Sequence, residues 1–358
     1  MKPIAQLREL GQSLWLDNIT REMLTSGQLQ RYIDDFSVSG LTSNPSIFDK
    51  AIGSGAYDAE IQQKGADAAH RERLFFELAI EDLRRAADLF APIHKMTGGV
   101  DGWVSLEISP LLAYDTARSV RAAVDLHTRA ERQNLFIKIP GTEEGLPAVE
   151  ETIFAGVPVN ITLLFSSEQY LAAADAYMRG IERRIEAGLD PNVASVASVF
   201  MSRWDTAVLD RAPEDLRGRL ALAVGLKTYQ AYRRLMDSNR WQRLANAGAR
   251  VQRLLWASTS TKDPSLPDTV YVEGLSAPHT INTMPESTLL AVDAHGHIGE
   301  PMRADGGDAQ ATFAQFESVG IDVDALAATL QADGAEKFVG AWKDLMSRIE
   351  DQVAVVGA

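Results

Sequence analysis

Nine lysines are spread along the 358 residues, and one of them sits where a charge has no structural reason to be. Lys138 lies in Asn134-Leu135-Phe136-Ile137-Lys138-Ile139-Pro140-Gly141-Thr142, inside an apolar, β-prone run. A buried ammonium without a partner is costly. Burial therefore drives such an amine towards its neutral form, which can attack a carbonyl carbon and form a Schiff base. A lysine that snorkels out of its strand, or pairs with an acid, would carry the same sequence signature. Two carboxylates end comparable runs: Asp17 closes Ser13–Asp17 (SLWLD), and Glu107 closes Val104–Glu107 (VSLE). A carboxylate facing the amine is the natural general acid/base for breaking a carbon–carbon bond, and a second would carry protons while an imine forms. Plainer roles compete. Asp17 or Asn18 suits the cap of a helix starting near Thr20, and Glu107 suits a buried ion pair that keeps Lys138 charged and inert.

Amides, hydroxyls and one guanidinium extend the set. Asn160 and Thr162 alternate along Val159–Phe165 (VNITLLF), so both point to one face and need hydrogen-bond partners, which substrate hydroxyls or an ordered water would provide. Asn44 precedes Pro45, which forces an extended or turn conformation there and equally suits an Asn-Pro turn leading into a helix. Ser198-Val199-Phe200-Met201-Ser202-Arg203 combines a hydroxyl with an arginine suited to bidentate phosphate binding. Ser258-Thr259-Ser260-Thr261-Lys262 adds hydroxyls and a further cation, whereas a surface contact with Asp205 is the ordinary alternative for Arg203. Asp293, His295 and His297 resemble a metal cluster, but Gly296 and Gly299 mark their surroundings as loop, and no metal site is expected.

These residues need a scaffold that makes strand ends converge. Eight short β-like runs alternate with helical periodicity: Ser13–Asp17, Val38–Asn44, Val104–Glu107, Leu135–Ile139, Val159–Phe165, Val193–Phe200, Val251–Ser258 and Thr269–Val272. That alternation predicts an α/β fold, a closed (β/α)8 TIM barrel, in one domain. A doubly wound open sheet is the rival, but its glycine-rich phosphate fingerprint is missing. Length beyond a typical barrel is assigned to extra helices at about 50–100, 204–250 and 308–356, the last including amphipathic pieces at Val323–Asp333 and Ala335–Val355. Catalytic groups of such barrels sit at the carboxyl ends of the strands, which is where seven of the eight runs carry their polar residues.

Composition narrows the chemistry. A formal net charge of -14 argues against nucleic acid and anionic membranes as partners, so an anionic substrate needs a local positive island. The absence of cysteine excludes disulfides, thiolate catalysis and cysteine metal sites. Met1–Arg8 lacks the apolar core of a signal peptide and no apolar stretch approaches membrane-spanning length, so a cytoplasmic protein is expected.

In order along the chain, Leu16-Asp17-Asn18, Gly40-Leu41-Thr42-Ser43-Asn44-Pro45-Ser46-Ile47-Phe48, Val104–Glu107, Ile137-Lys138-Ile139-Pro140 and Asn160-Ile161-Thr162-Leu163-Leu164-Phe165-Ser166 resemble the transaldolase family. The resemblance runs from about residue 10 to about 290. It implies a metal-free, cofactor-free class I enzyme of the pentose phosphate pathway. Such an enzyme moves a dihydroxyacetone unit from sedoheptulose 7-phosphate to glyceraldehyde 3-phosphate. By position, Lys138 is implied as the Schiff-base amine, Asp17 as the acid/base of cleavage, and Glu107 as acting through a water held by Thr162. Asn44 and Asn160 are implied to hold the dihydroxyacetone hydroxyls, Ser198 and Phe200 to line the pocket, and Arg203 and Ser258 to bind phosphate. Many relatives place an arginine two residues after the serine matching Ser258. Here that residue is Ser260, which leaves Lys262 or nothing as the second cation. A fructose-6-phosphate aldolase-like enzyme releasing free dihydroxyacetone, and a non-catalytic sugar-phosphate-binding barrel, are the alternatives. Monomer and homodimer stay open.

Overall fold

The computed structural model describes residues 2–64 and 70–356. Eight parallel strands close into a barrel in chain order: β1 Ser13–Asp17, β2 Val38–Thr42, β3 Trp103–Glu107, β4 Leu135–Pro140, β5 Val159–Leu164, β6 Ser195–Phe200, β7 Arg253–Ala257 and β8 Thr280–Met284. This is the (β/α)8 architecture that the alternation predicts. The eighth strand is a correction. The Thr269–Val272 run falls instead in a short helix, Val270–Gly274, and Thr280–Met284 closes the barrel between β7 and β1. Valine and tyrosine give the earlier run the stronger β character, but strand preference reflects packing context more than intrinsic bias. Most polar atoms of β8 find partners inside: Thr259 donates to Asn282 Oδ1 at 2.8 Å, and Thr283 shares a 2.8 Å hydrogen bond with Thr42, whereas Asn282 Nδ2 has no partner among the described residues.

Side chains two apart along a strand share a face, and this period builds the interior in layers. Near the amino ends, the Trp103 and Phe136 rings stack with centroids 4.1 Å apart, and Trp15 lies 6.2 Å from Phe136. Trp15 fits only because β2 carries Gly40: a Cβ there would come within 2.6 Å of the indole. The next inward layer is polar, with Ser105, Asn160 and Ser198 linked by hydrogen bonds. Above it stand Asp17, Glu107, Lys138 and Thr162, each two residues beyond a member of a lower layer.

Several helices occupy single crossovers, Pro45–Ile52, Asp58–Lys64 and Arg71–Met96 between β2 and β3, and Ser202–Val208, Leu220–Met236 and Asn239–Asn246 between β6 and β7, and two more follow the barrel at Ala309–Ser318 and Val323–Val356. Within the first of these regions, residues 65–69 lie outside the described part. The two amphipathic pieces expected near the C-terminus form one continuous helix of 34 residues, about 50 Å long. Gly334 does not break it, because tertiary contacts hold both halves. Gln331 donates to the rim carbonyls of Gly141 and Leu163, at 3.0 and 2.9 Å. Trp342 packs edge-on against Phe75, and Arg348 bonds Asp49 at 2.6 Å. The helix thus crosses the carboxyl-terminal mouth of the barrel. Among the described residues, no helix is long and apolar enough to cross a membrane.

Candidate active site

Lys138 is 5% exposed, and its Nζ donates to Glu107 Oε2 at 3.2 Å and to the Ser43 carbonyl at 3.1 Å. Strand register explains the pairing, since Glu107 and Lys138 are direct partners across β3 and β4. The ion pair that the sequence left as a plain alternative is therefore present, at the bottom of a cavity. Burial pushes the Glu107 carboxyl above the usual range, partly offset by the Lys138 charge. Among the described residues, its buried Oε1 has no hydrogen-bond partner, and neither has Thr162 Oγ1. Buried polar atoms without partners are exceptional; Glu107 beside the amine and Thr162 in the lining it shares provide polar contacts of the kind that hold a water molecule.

Asp17 caps nothing. The helix Arg21–Thr25 is capped by Thr20, whose hydroxyl accepts from the Met23 N–H at 3.1 Å. Asp17 instead accepts from the Thr42 hydroxyl at 2.7 Å. Burial raises its pKa, while that hydrogen bond and the charges of Lys138 and Arg203 pull it down. Lining the cavity, this carboxyl is within reach of the hydroxyls of a molecule bound there.

A cavity of about 1120 Å³ opens at the carboxyl-terminal rim. Asp17, Asn44, Lys138, Thr162, Ser198, Phe200, Arg203, Ser258 and Lys262 all line it. Glu107 and Asn160 lie just beneath. Glu107 reaches the cavity through Lys138, and Asn160 through Ser198, whose hydroxyl donates to Asn160 Oδ1 at 2.6 Å. Asn44 does cap the helix Pro45–Ile52, accepting from Ile47 N–H at 3.1 Å, and its Nδ2 makes no hydrogen bond to the described residues. A second cavity of about 950 Å³ lies at the opposite end, around Ser13, Trp103 and Arg253, away from the amine.

Arg203 does not form the contact with Asp205 that was its ordinary alternative. Asp205 accepts from Tyr271 hydroxyl at 2.8 Å and from the Leu220 and Ala221 N–H groups. The Arg203 guanidinium lies 4.7 Å over the Phe200 ring and 5.8 Å from Phe338, and its Nη1 is buried without a partner. Burial lowers its pKa while Glu107 and Asp17 oppose the shift, and an arginine remains charged throughout. Ser258 adopts a left-handed backbone (φ 56) rare outside glycine. Its hydroxyl shares a 2.9 Å hydrogen bond with Ser202. Asp293, His295 and His297 go separate ways: Lys2 bonds Asp293, His295 meets Asp268, and the His297 N–H donates to Glu273.

Sequence reasoning reached Thr42 as a strand-end residue without its partner Asp17, and missed other contributors. Ser105 was recoverable, since it lies one strand period before Glu107 and hydrogen-bonds Asn160. Gly334, Lys337 and Phe338 line the same cavity from the C-terminal helix, and no local pattern in the tail links them to strand ends.

Fold and site define a barrel enzyme layout in which a buried amine stands between two carboxylates below an arginine suited to anions. The chain belongs to the transaldolase/fructose-6-phosphate aldolase family, whose model matches residues 14–349. It is 45% identical to a transaldolase of Thermobifida fusca, with 98% of each chain covered. It is 44% identical to a transaldolase of Frankia alni, covering 99% of this chain and 98% of that one. A transaldolase of Acidothermus cellulolyticus is 45% identical, with 97% and 96% covered.

Proposed function

We propose that the chain is a transaldolase that carries a dihydroxyacetone unit between sugar phosphates through an imine on Lys138. The observation that carries this reading is the buried Lys138–Glu107 pair at 3.2 Å, at the foot of a cavity that Asp17 also lines. Lys138 Nζ attacks the ketose C2 carbonyl, and the carbinolamine loses water to give the imine. Glu107 passes the protons through a water held by Thr162 Oγ1. Asp17 takes the proton of the C4 hydroxyl; the C3–C4 bond breaks, its electrons enter the imine to form an enamine, and an aldehyde phosphate leaves. An acceptor aldehyde then reverses these steps with the same groups. Asn44 and the Ser198–Asn160 pair hold the hydroxyls of the three-carbon unit, Phe200 shapes the pocket, and Arg203, Ser258 and Lys262 attract the phosphate. The full-length relatives named transaldolase support the same reading. We place the enzyme in the cytoplasm, with neither nucleic acid nor membrane as a partner.

The test uses fructose 6-phosphate with and without erythrose 4-phosphate. A transaldolase forms glyceraldehyde 3-phosphate at a rate that depends on the acceptor and releases almost no free dihydroxyacetone. Release of free dihydroxyacetone in step with turnover would make it an aldolase instead, and no turnover at all would make it a binding protein.

A further inference from the structure

We propose that Lys337, on the helix Val323–Val356 that crosses the barrel mouth, is a further cation, beside Arg203 and Lys262, that holds the substrate's phosphate. This rests on the transaldolase reading, and it assigns a cationic role to an element that the strand-end logic leaves out. Four observations converge. Ser260, at the rim after β7, offers a hydroxyl and no charge, which leaves Lys262 as the cation that this rim segment adds to Arg203. That arginine, Arg203, makes no hydrogen bond or ion pair with the described residues, and its Nη1 is buried and unpartnered. The helix backbone approaches it closely, since a Cβ on Gly334 would stand 3.1 Å from Arg203 Nη1. Phe338, one turn further on, flanks the same guanidinium.

Residues three and four apart on a helix are neighbours, with Cβ atoms about 5–6 Å apart. Lys337 is three residues from Gly334, so its stem rises from the stretch of helix that covers Arg203, and its side chain lines the cavity. It forms no ion pair with the described residues, although Asp333 lies four residues before it and lines the same cavity. In a chain of net charge -14, a lysine and an arginine that line one cavity, neither paired with a carboxylate among the described residues, make the local positive island that a phosphate requires. Arginine provides a planar fork and lysine a mobile point charge, a combination suited to a phosphate's three oxygens. Lys50 and Lys262 line the cavity as well; Lys337 differs in rising from the stretch of helix whose Gly334 abuts Arg203.

The test is calorimetric titration of the whole protein with inorganic phosphate and with fructose 6-phosphate, alongside kinetics on fructose 6-phosphate and fructose. Lys337→Met should weaken phosphate binding about tenfold and raise KM for fructose 6-phosphate by a similar factor, leaving fructose unaffected. Lys337→Arg should restore both. Lys343→Met, which removes a charge from the same helix on an exposed face, should behave as wild type. Wild-type phosphate affinity in Lys337→Met, or an equal loss in Lys343→Met, would overturn the assignment. If wild type binds phosphate through Lys337 but transfers nothing, the anion site stands and the transaldolase reading falls. If the enzyme transfers and is indifferent to Lys337, the transaldolase reading stands and the anion site falls.

Discussion

Gly334→Ala separates what the C-terminal helix does for stability from what it does for the site. In a helix interior, replacing glycine by alanine adds about 1 kcal/mol of helix stability. Here the new methyl would meet Leu163 Cδ2 at 3.0 Å and Arg203 Nη1 at 3.1 Å. Carbon atoms in good contact lie about 3.5–4.0 Å apart, so something must yield by roughly half an ångström. Leu163 sits in a left-handed backbone conformation (φ 59) at the irregular register of β5 and is fully packed. Arg203, held by ring contacts and no hydrogen bond, is the group that moves. Overpacking costs about 1–3 kcal/mol, which roughly offsets the helix gain, and the melting temperature should change by less than about 3 °C. Catalysis should not be spared, because a misplacement of about 1 Å in a binding group can cost about 10²-fold. Half of that displacement predicts a drop of about tenfold in kcat/KM for fructose 6-phosphate. Fructose, which has no phosphate to place, should lose less than about twofold. Initial rates for both donors with one acceptor, plus a thermal melt, read all three quantities. An equal loss on both donors would rule out a displaced Arg203, as would a large fall in melting temperature that accounts for the lost activity.

Two further substitutions probe groups whose pKa values burial has raised. Asp17→Ala should still form the imine with fructose 6-phosphate, trappable by borohydride, while cleavage slows by about 10²–10⁴-fold; normal turnover would remove Asp17 from the reaction. Asp205, buried beside Tyr271, has its pKa pushed up to about 6, against about 3.9 in an unfolded chain. The folded state therefore holds this proton over a window where the unfolded state has lost it. The group's contribution to stability falls as pH rises from about 4 to about 6, by roughly 3 kcal/mol. Asp205→Asn should thus gain stability relative to wild type between pH 4.5 and pH 7 in urea denaturation. A difference independent of pH would contradict that.

The first seven strands were legible because each joins an apolar run to a polar end, and the barrel follows from their alternation with helices. The eighth was not, because Thr280-Ile281-Asn282-Thr283-Met284 hides its strand character behind polar residues whose partners, Thr42 and Thr259, come from elsewhere in the barrel. Lys138, Glu107 and Asp17 could be found because a charge ending an apolar run is a local anomaly. Their partnerships could not be ranked from sequence: whether Asp17 capped a helix or met Thr42 depended on where β2 lies. The C-terminal helix was harder still. Its approach to Arg203 is set by Gln331 bonding rim carbonyls about 170–190 residues earlier in the chain, a long-range contact that leaves no periodic trace.

Whether Lys138 carries the imine can be read by borohydride reduction during incubation with fructose 6-phosphate. An imine there predicts a covalent dihydroxyacetone-sized mass on the peptide containing Lys138, absent from Lys138→Ala. No adduct on the wild-type protein, or an undiminished adduct on Lys138→Ala, would contradict it.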